Sequence, residues 1–359
     1  MRKSVVFAPD KFKGTLTAPE AAAALAEGWA RVRPADLLHC LPMADGGDGT
    51  AMVLAQRLAG SRWVDVPAVD ALGRPKTGRY LRAGELAVLD LAEICGIAGI
   101  DALAPMDSHT LGLGQVIRAA VEAGASKVLV GLGGSASTDG GLGAWLALGA
   151  RATCRDGSVW TAGQSLLSLG TVQTEGLLRL PAGGVEVLVD VDSTLTGSCG
   201  AAQLFGAQKG ASVEQRAELD AGLVRLVTLL GGDPAEPGAG AAGGTGYGLS
   251  CWGARLVAGA AAVSELIGLP SAIEQAELVV TGEGRFDDTS LTGKTCGHVL
   301  ALAGWDRSYV VAGSVAPALA GDRVVSLAER AGSVAAAMAD PRRWLAEASA
   351  AIAASLDSC

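Results

Sequence analysis

Along this chain, short runs of apolar, often β-branched residues alternate with stretches whose apolar positions recur every three to four residues. The first kind, bounded by glycine or polar residues, reads as buried strand; the second reads as amphipathic helix. Strands are expected at Lys3–Ala8, Leu86–Leu91, Lys127–Leu132, Val185–Val191, Glu277–Thr281, Ser308–Ala312 and Arg323–Leu327. Helices are expected at Thr50–Ala59, Gly112–Ala123, Gly143–Ala150, Val213–Leu230 and Leu256–Leu266. Thr17-Ala18-Pro19-Glu20 spells a capping box ahead of a further helix; Leu25, Trp29 and Val32 line its apolar face and Pro34 ends it. Strand–helix alternation from end to end predicts an α/β architecture. The segment Gly231–Gly248 shows neither period and is expected to be a long flexible loop or hinge.

Length and composition narrow this picture. A chain of 359 residues has room for two domains. Half of it is hydrophobic but only 4% aromatic, so the core must be built mostly from Ala, Val and Leu. The 51 glycines sit mainly at the ends of apolar runs, which suits strand-to-helix turns better than disorder. A formal net charge of −9 argues against a nucleic-acid-binding face, so an anionic ligand needs local positive groups. The cysteines (Cys40, Cys95, Cys154, Cys199, Cys251, Cys296 and Cys359) form no CxxC pair and read as reduced thiols. The first strand starts within three residues, leaving no room for a signal peptide, and no apolar run approaches the length of a membrane span. A soluble, cytoplasmic protein is expected.

The stretch Val128–Gly141, VLVGLGGSASTDGG, carries the most chemistry. An apolar strand breaks into glycines and hydroxyls before a helical pattern begins at Leu142, a layout that suits a phosphate as well as a turn that merely needs glycine. Other strands also end in acids: Asp10, then Asp190 and Asp192, then Glu283 and Asp287. One such Asp would be read as a cap, but a set of them lies where an open α/β sheet carries its ligand. Ala44–Thr50, ADGGDGT, adds Asp45 and Asp48 on a glycine turn suited to Mg²⁺ or hydroxyl groups. Lys11, Lys13, Lys209, Arg285 and Lys294 lie in or beside glycine-rich turns, where a cation can meet phosphate or carboxylate. Together these are the parts of a phosphoryl-transfer site.

Competing patterns are weaker. Gly293-Lys294-Thr295 resembles the end of a P-loop, but Asp288 stands where its first glycine is required. Gly131–Ala136 fits the dinucleotide fingerprint GxGxxA, yet the helix after it is crowded with glycine and no strand precedes an acid some twenty residues on. Gly238–Gly243 fits GxGxxG without a strand before it. His39, His109 and His298 lack metal-ligand spacing and read as surface or packed residues, and no GxSxG elbow occurs. A nicotinamide dehydrogenase and a non-catalytic binder of a phosphorylated metabolite stay as alternatives. The clustered acids count against the binder.

Six motifs in one order carry a resemblance that no single motif would. APDKFKG (8–14), ADGGDGT (44–50), GLGGSASTDGG (131–141), FGAQKGA (205–211), PGAGAAGG (237–244) and TGEGRFD (281–287) resemble the bacterial type I glycerate kinases and span nearly the whole chain. The chain departs from the family's common DVxNPL at Asp190–Leu195, DVDSTL, and from SATNDGG at Ser135–Gly141. The resemblance implies ATP- and Mg²⁺-dependent phosphorylation of D-glycerate, giving 2-phosphoglycerate. It implies two α/β domains, one Rossmann- or flavodoxin-like (1–65 plus 270–359) with a second (66–269) inserted, and an active-site cleft between them; the sequence leaves the oligomeric state open, with a homodimer as one option. Gly133, Gly134, Ser135, Ser137 and Asp139 are then expected on the ATP phosphates. Asp190, with Asp192 or Glu283, is expected to hold Mg²⁺ or orient the attacking hydroxyl, with Glu283, Asp287 and Lys13 also in the catalytic set. Asp10, Asp45, Arg285 and Lys294 are expected on the substrate, and the cations share the glycerate carboxylate and the moving phosphoryl group.

Overall fold

The computed structural model describes residues 2–292 and 294–356; Gly293 and Cys359 lie outside them. The chain divides into two compact units, Met1–Asp45 with Met52–Arg57 and Ala260–Cys359, and Gly46–Ala51 with Leu58–Gly259.

In the first unit five parallel strands lie in the order Val324–Ser326, Ser308–Val315, Leu278–Phe286, Ser4–Phe7, Leu37–Cys40. A parallel sheet covered on both faces needs continuous apolar strands, which is why VVF, LVV and YVVA read so clearly. The helix Ala18–Val32 starts with the expected capping box, Thr17 and Glu20 exchanging bonds with each other's backbone. It packs on Pro341–Ser355 so closely that a Cβ on Gly28 would lie 2.0 Å from the Ala346 carbonyl oxygen. The core here gathers Val5, Phe7, Leu25, Trp29, Val280, Leu345 and Ile352.

The second unit has a six-stranded sheet in the order Arg255–Ala258, Val185–Val189, Lys127–Gly131, Leu86–Asp90, Pro75–Ala83, Arg62–Val69. The first four are parallel and the last two form an antiparallel hairpin on one edge. That hairpin escapes a search for apolar runs because one face is wet and mostly polar. A two-stranded ribbon, Arg151–Cys154 with Leu169–Gln173, completes the strands described.

Three expectations need correction. Leu256–Leu266 is not one helix: Arg255–Ala258 pairs with Val185–Val189 as a strand, and helix follows only at Gly259–Ile267. Gly231–Gly248 is a loop only up to Gly240. Ala241–Trp252 is helical, with left-handed Ala242, Gly243 and Gly244 inside its first turn, and it is buried. A Cβ on Gly243 would lie 2.1 Å from the Ser137 carbonyl oxygen, and one on Gly248 2.3 Å from that of Gly140. Glycine is used there for close approach, not for freedom. The Thr50–Ala59 helix is shorter than expected, Thr50–Ala55.

Candidate functional site

In the first unit, the carboxyl ends of Ser4–Phe7, Leu278–Phe286 and Ser308–Val315 open into a cavity of about 390 Å³. Seven residues singled out by sequence line it: Asp10, Lys11, Lys13, Asp45, Glu283, Arg285 and Lys294. Leu327, Val334, Ala337, Met338 and Pro341 form an apolar wall that the Ala-rich C-terminal sequence did not advertise. Asp287 does not line the cavity. It caps the turn Asp288–Leu291 through Thr289, whose hydroxyl holds its carboxyl below the usual range, and it pairs with Arg285 at 3.2 Å.

The cavity acids differ in how they are held. Asp10 is 9% exposed; its Oδ1 accepts from the Lys11 N–H at 2.6 Å and its Oδ2 from the Thr295 hydroxyl at 2.7 Å. Burial, and then the charge of Asp45, push its pKa up to about 7, against the pull of Lys11 and Thr295. Glu283 is also raised, mainly by burial, and its Oε1 is buried without a hydrogen-bond partner among the described residues. An orphaned carboxylate oxygen beside several cations is an acceptor waiting for a hydroxyl or a metal-bound water. Lys294 reaches the Thr289 hydroxyl at 3.2 Å, while Lys13 and Arg285 are exposed.

In the second unit, Lys127–Gly131 runs into the turn 132–141. Among the described residues the N–H groups of Gly133, Gly134 and Ser135 have no hydrogen-bond acceptor. Gly133 packs on ADGGDGT: a Cβ there would lie 2.5 Å from Gly47 Cα. The structure thus brings two of the sequence motifs together, with their glycines serving backbone contact. The next helix begins only at Leu142, and its first N–H groups are already taken: Leu142 by the Asp139 carbonyl, Gly143 by the Asp139 carboxylate and Ala144 by the Thr110 hydroxyl. Asp139 Oδ2 accepts from the Thr110 N–H and hydroxyl, each at 2.8 Å, and from Gly143 N–H at 3.1 Å; Oδ1 accepts from Gly141 N–H at 3.2 Å. Its carboxylate therefore shapes the turn from behind. This arrangement also lacks the helix N-terminus that a dinucleotide fingerprint needs.

Lys209 is the partner of this turn that spacing could not reveal. Its Nζ donates to Ser135 Oγ at 2.8 Å and to the Ser137 carbonyl. Asp90, at the end of the apolar run LAVLD, was also missed. It is 2% exposed and accepts from the N–H groups of Gly49 and Ala51, holding ADGGDGT in place. Asp190 and Asp192 follow Val185–Val189, the sheet neighbour of Lys127–Gly131, and are exposed. Ser193 beside them has a buried hydroxyl with no hydrogen-bond partner among the described residues. Among the described residues no three His, Cys, Asp or Glu side chains cluster to hold a metal by themselves. No helix among them is long and apolar enough to cross a membrane.

Comparison with known proteins agrees with the motifs. The model of the Glycerate kinase family matches residues 5–357. The chain is 37% identical to a Bacillus subtilis glycerate kinase over 325 residues, covering 87% of this chain and 85% of that one. It is 35% identical to the Escherichia coli glycerate 2-kinase over 305 residues, 81% of this chain and 79% of that one. A crystal structure described as a glycerate kinase 2 from Salmonella typhimurium LT2 superposes with a TM-score of 0.84 at 32% identity, covering 100% and 99% of the two chains. The chain belongs to the glycerate kinase family.

Proposed function

We propose that this protein phosphorylates D-glycerate with ATP and Mg²⁺, placing the phosphoryl group on the 2-hydroxyl. The observation that carries the reading is the first unit's cavity, where Asp10, Asp45 and Glu283 meet Lys11, Lys13, Arg285 and Lys294. Glycerate offers one carboxylate and two hydroxyls, and this wall supplies cations for the first and carboxylate acceptors for the second. Lys13, Arg285 and Lys294 serve the substrate carboxylate or the transferring group. Asp10, Asp45 and Glu283 fix the hydroxyls, and the raised carboxyl of Glu283 or Asp10 receives the hydroxyl proton. That proton transfer is a small part of the rate, because positioning and charge neutralisation dominate phosphoryl transfer. Asp287 supports Arg285 from outside the cavity.

The nucleotide phosphates are assigned to the turn of the second unit, supported by the three unengaged N–H groups of Gly133, Gly134 and Ser135. Ser137 sits in the same turn, and Asp139 holds it. Asp190 and Asp192 suit Mg²⁺, which keeps several waters and needs only one or two carboxylates beside the phosphates. Bound there, the ion would neutralise charge on the phosphate oxygens. The reading extends to a cytoplasmic enzyme and to a homodimer, the latter checked by sedimentation.

The test is ³¹P NMR of the product formed from D-glycerate, ATP and Mg²⁺. A 2-phosphoglycerate signal that disappears on chelating the metal is expected. A 3-phosphoglycerate signal would move the transfer to the other hydroxyl, and no turnover by folded protein would sink the assignment.

A further inference from the structure

One buried charge has no part in that account. Lys209 ends the short turn Ala207–Lys209 between the helices Ala201–Phe205 and Val213–Leu230 and is 3% exposed. Its ammonium is held by two neutral oxygens, Ser135 Oγ and the Ser137 carbonyl, and among the described residues no carboxylate forms an ion pair with it. Asp139 is the acid whose charge acts on it, and that carboxylate is engaged by Thr110, Gly141 and Gly143. An ammonium buried without a counter-charge is costly. Burial accordingly lowers its pKa to about 7. Beside it, Ser137 and Thr138 are 0% and 2% exposed, and among the described residues their hydroxyls have no hydrogen-bond partner.

The hydrogen bond fixes what Ser135 can do. An Oγ that accepts from an ammonium keeps its own O–H to donate, and among the described residues nothing accepts that hydrogen. An anionic oxygen seated on the turn would accept it and supply the missing counter-charge at once. We propose that Lys209 is a positioning residue for the nucleotide phosphates: it makes Ser135 a donor toward a phosphate oxygen, and phosphate binding draws a proton from solvent onto its amine. This rests on assigning the phosphates to the 133–137 turn.

The test is calorimetric titration of the full chain with MgADP between pH 7.5 and 9, where the nucleotide's own phosphates are ionised. It is run in two buffers of different ionisation enthalpy. Wild type should take up close to one proton and lose affinity about tenfold across the range. Ser135→Ala and Lys209→Met should each weaken binding about tenfold, and the double variant no more than either alone, since one residue acts through the other. Lys209→Arg, which cannot lose its proton, should bind with a flat pH profile. A flat wild-type profile without proton uptake overturns the proposal, as does full additivity of the two losses. Should Lys209→Met fail to fold, wild-type proton uptake and its loss in Lys209→Arg still decide. Absence of any MgADP binding by wild type would instead strike the kinase reading itself.

Discussion

Two buried aspartates act on stability in the same direction as pH changes, because each binds a proton more tightly folded than unfolded. Asp10 and Asp90 both rise from 3.8 to about 7, in each case chiefly through burial. Between those values the folded state holds more protons than the unfolded one, so the stability these two groups contribute is fully present below pH 3.8 and is lost as pH rises through about 7. Asp90 is the cleaner test, since its carboxylate accepts from the N–H groups of Gly49 and Ala51 and is not among the groups that line the first unit's cavity. Its share of the loss is on the order of 3 kcal/mol. Urea unfolding at pH 4 and pH 7.5 should show wild type losing clearly more stability than Asp90→Asn over that interval. Equal losses would mean that Asp90 ionises freely in the fold. Lys209 has the opposite sign: its lowered pKa adds stability as pH climbs from about 7 toward 10.5.

At the scale of elements, the glycines separate two uses that composition cannot. Gly231, Gly243 and Gly321 look alike in sequence. Gly243 has φ +68° and faces the Ser137 carbonyl oxygen at 2.1 Å from a would-be Cβ; Gly231 has φ +72° in open space; Gly321 has open space and no left-handed φ. Gly243→Ala should therefore destabilise by roughly 3 kcal/mol or more, combining overpacking with a strained backbone. Gly231→Ala should cost about 1 kcal/mol and Gly321→Ala close to nothing. Thermal melts of the three would show the order, and a mild Gly243→Ala would restore the hinge reading. The same contrast explains what the sequence hid. Strands such as Lys127–Gly131 and helices such as Val213–Leu230 announce themselves through local period. The partner that makes Gly243 indispensable, Ser137, lies far away along the chain, so packing and floppiness looked identical. Asp90 was hidden likewise, because one acid closing an apolar run reads as the strand's end rather than as a buried acceptor for Gly49 and Ala51.

For the whole molecule, the useful distinction is which unit answers to which ligand. Residues that line one cavity were legible because strand ends carry the site in an open α/β sheet: Asp10, Glu283 and Arg285 all follow that rule. The apolar wall of Leu327, Val334, Ala337 and Met338 was not, since it comes from two short helices whose apolar residues read in sequence as ordinary packing. Its presence gives an alternative real weight. The cavity of about 390 Å³ exceeds what glycerate, the size of a few waters, would fill. An apolar wall facing cations could also seat a nucleotide base. Hydrogen exchange of the full chain separates the two arrangements, because a ligand suppresses the local openings of whatever segment it holds. D-Glycerate alone should slow exchange at 10–15 and 283–286, and MgADP alone at 133–137. Protection of 10–15 and 334–338 by MgADP, with 133–137 untouched, would move the nucleotide to the first unit and remove the role assigned to Ser135. Protection of 133–137 with the apolar wall unchanged would leave that wall to the organic acid, predicting that acids bearing a small apolar substituent compete with glycerate.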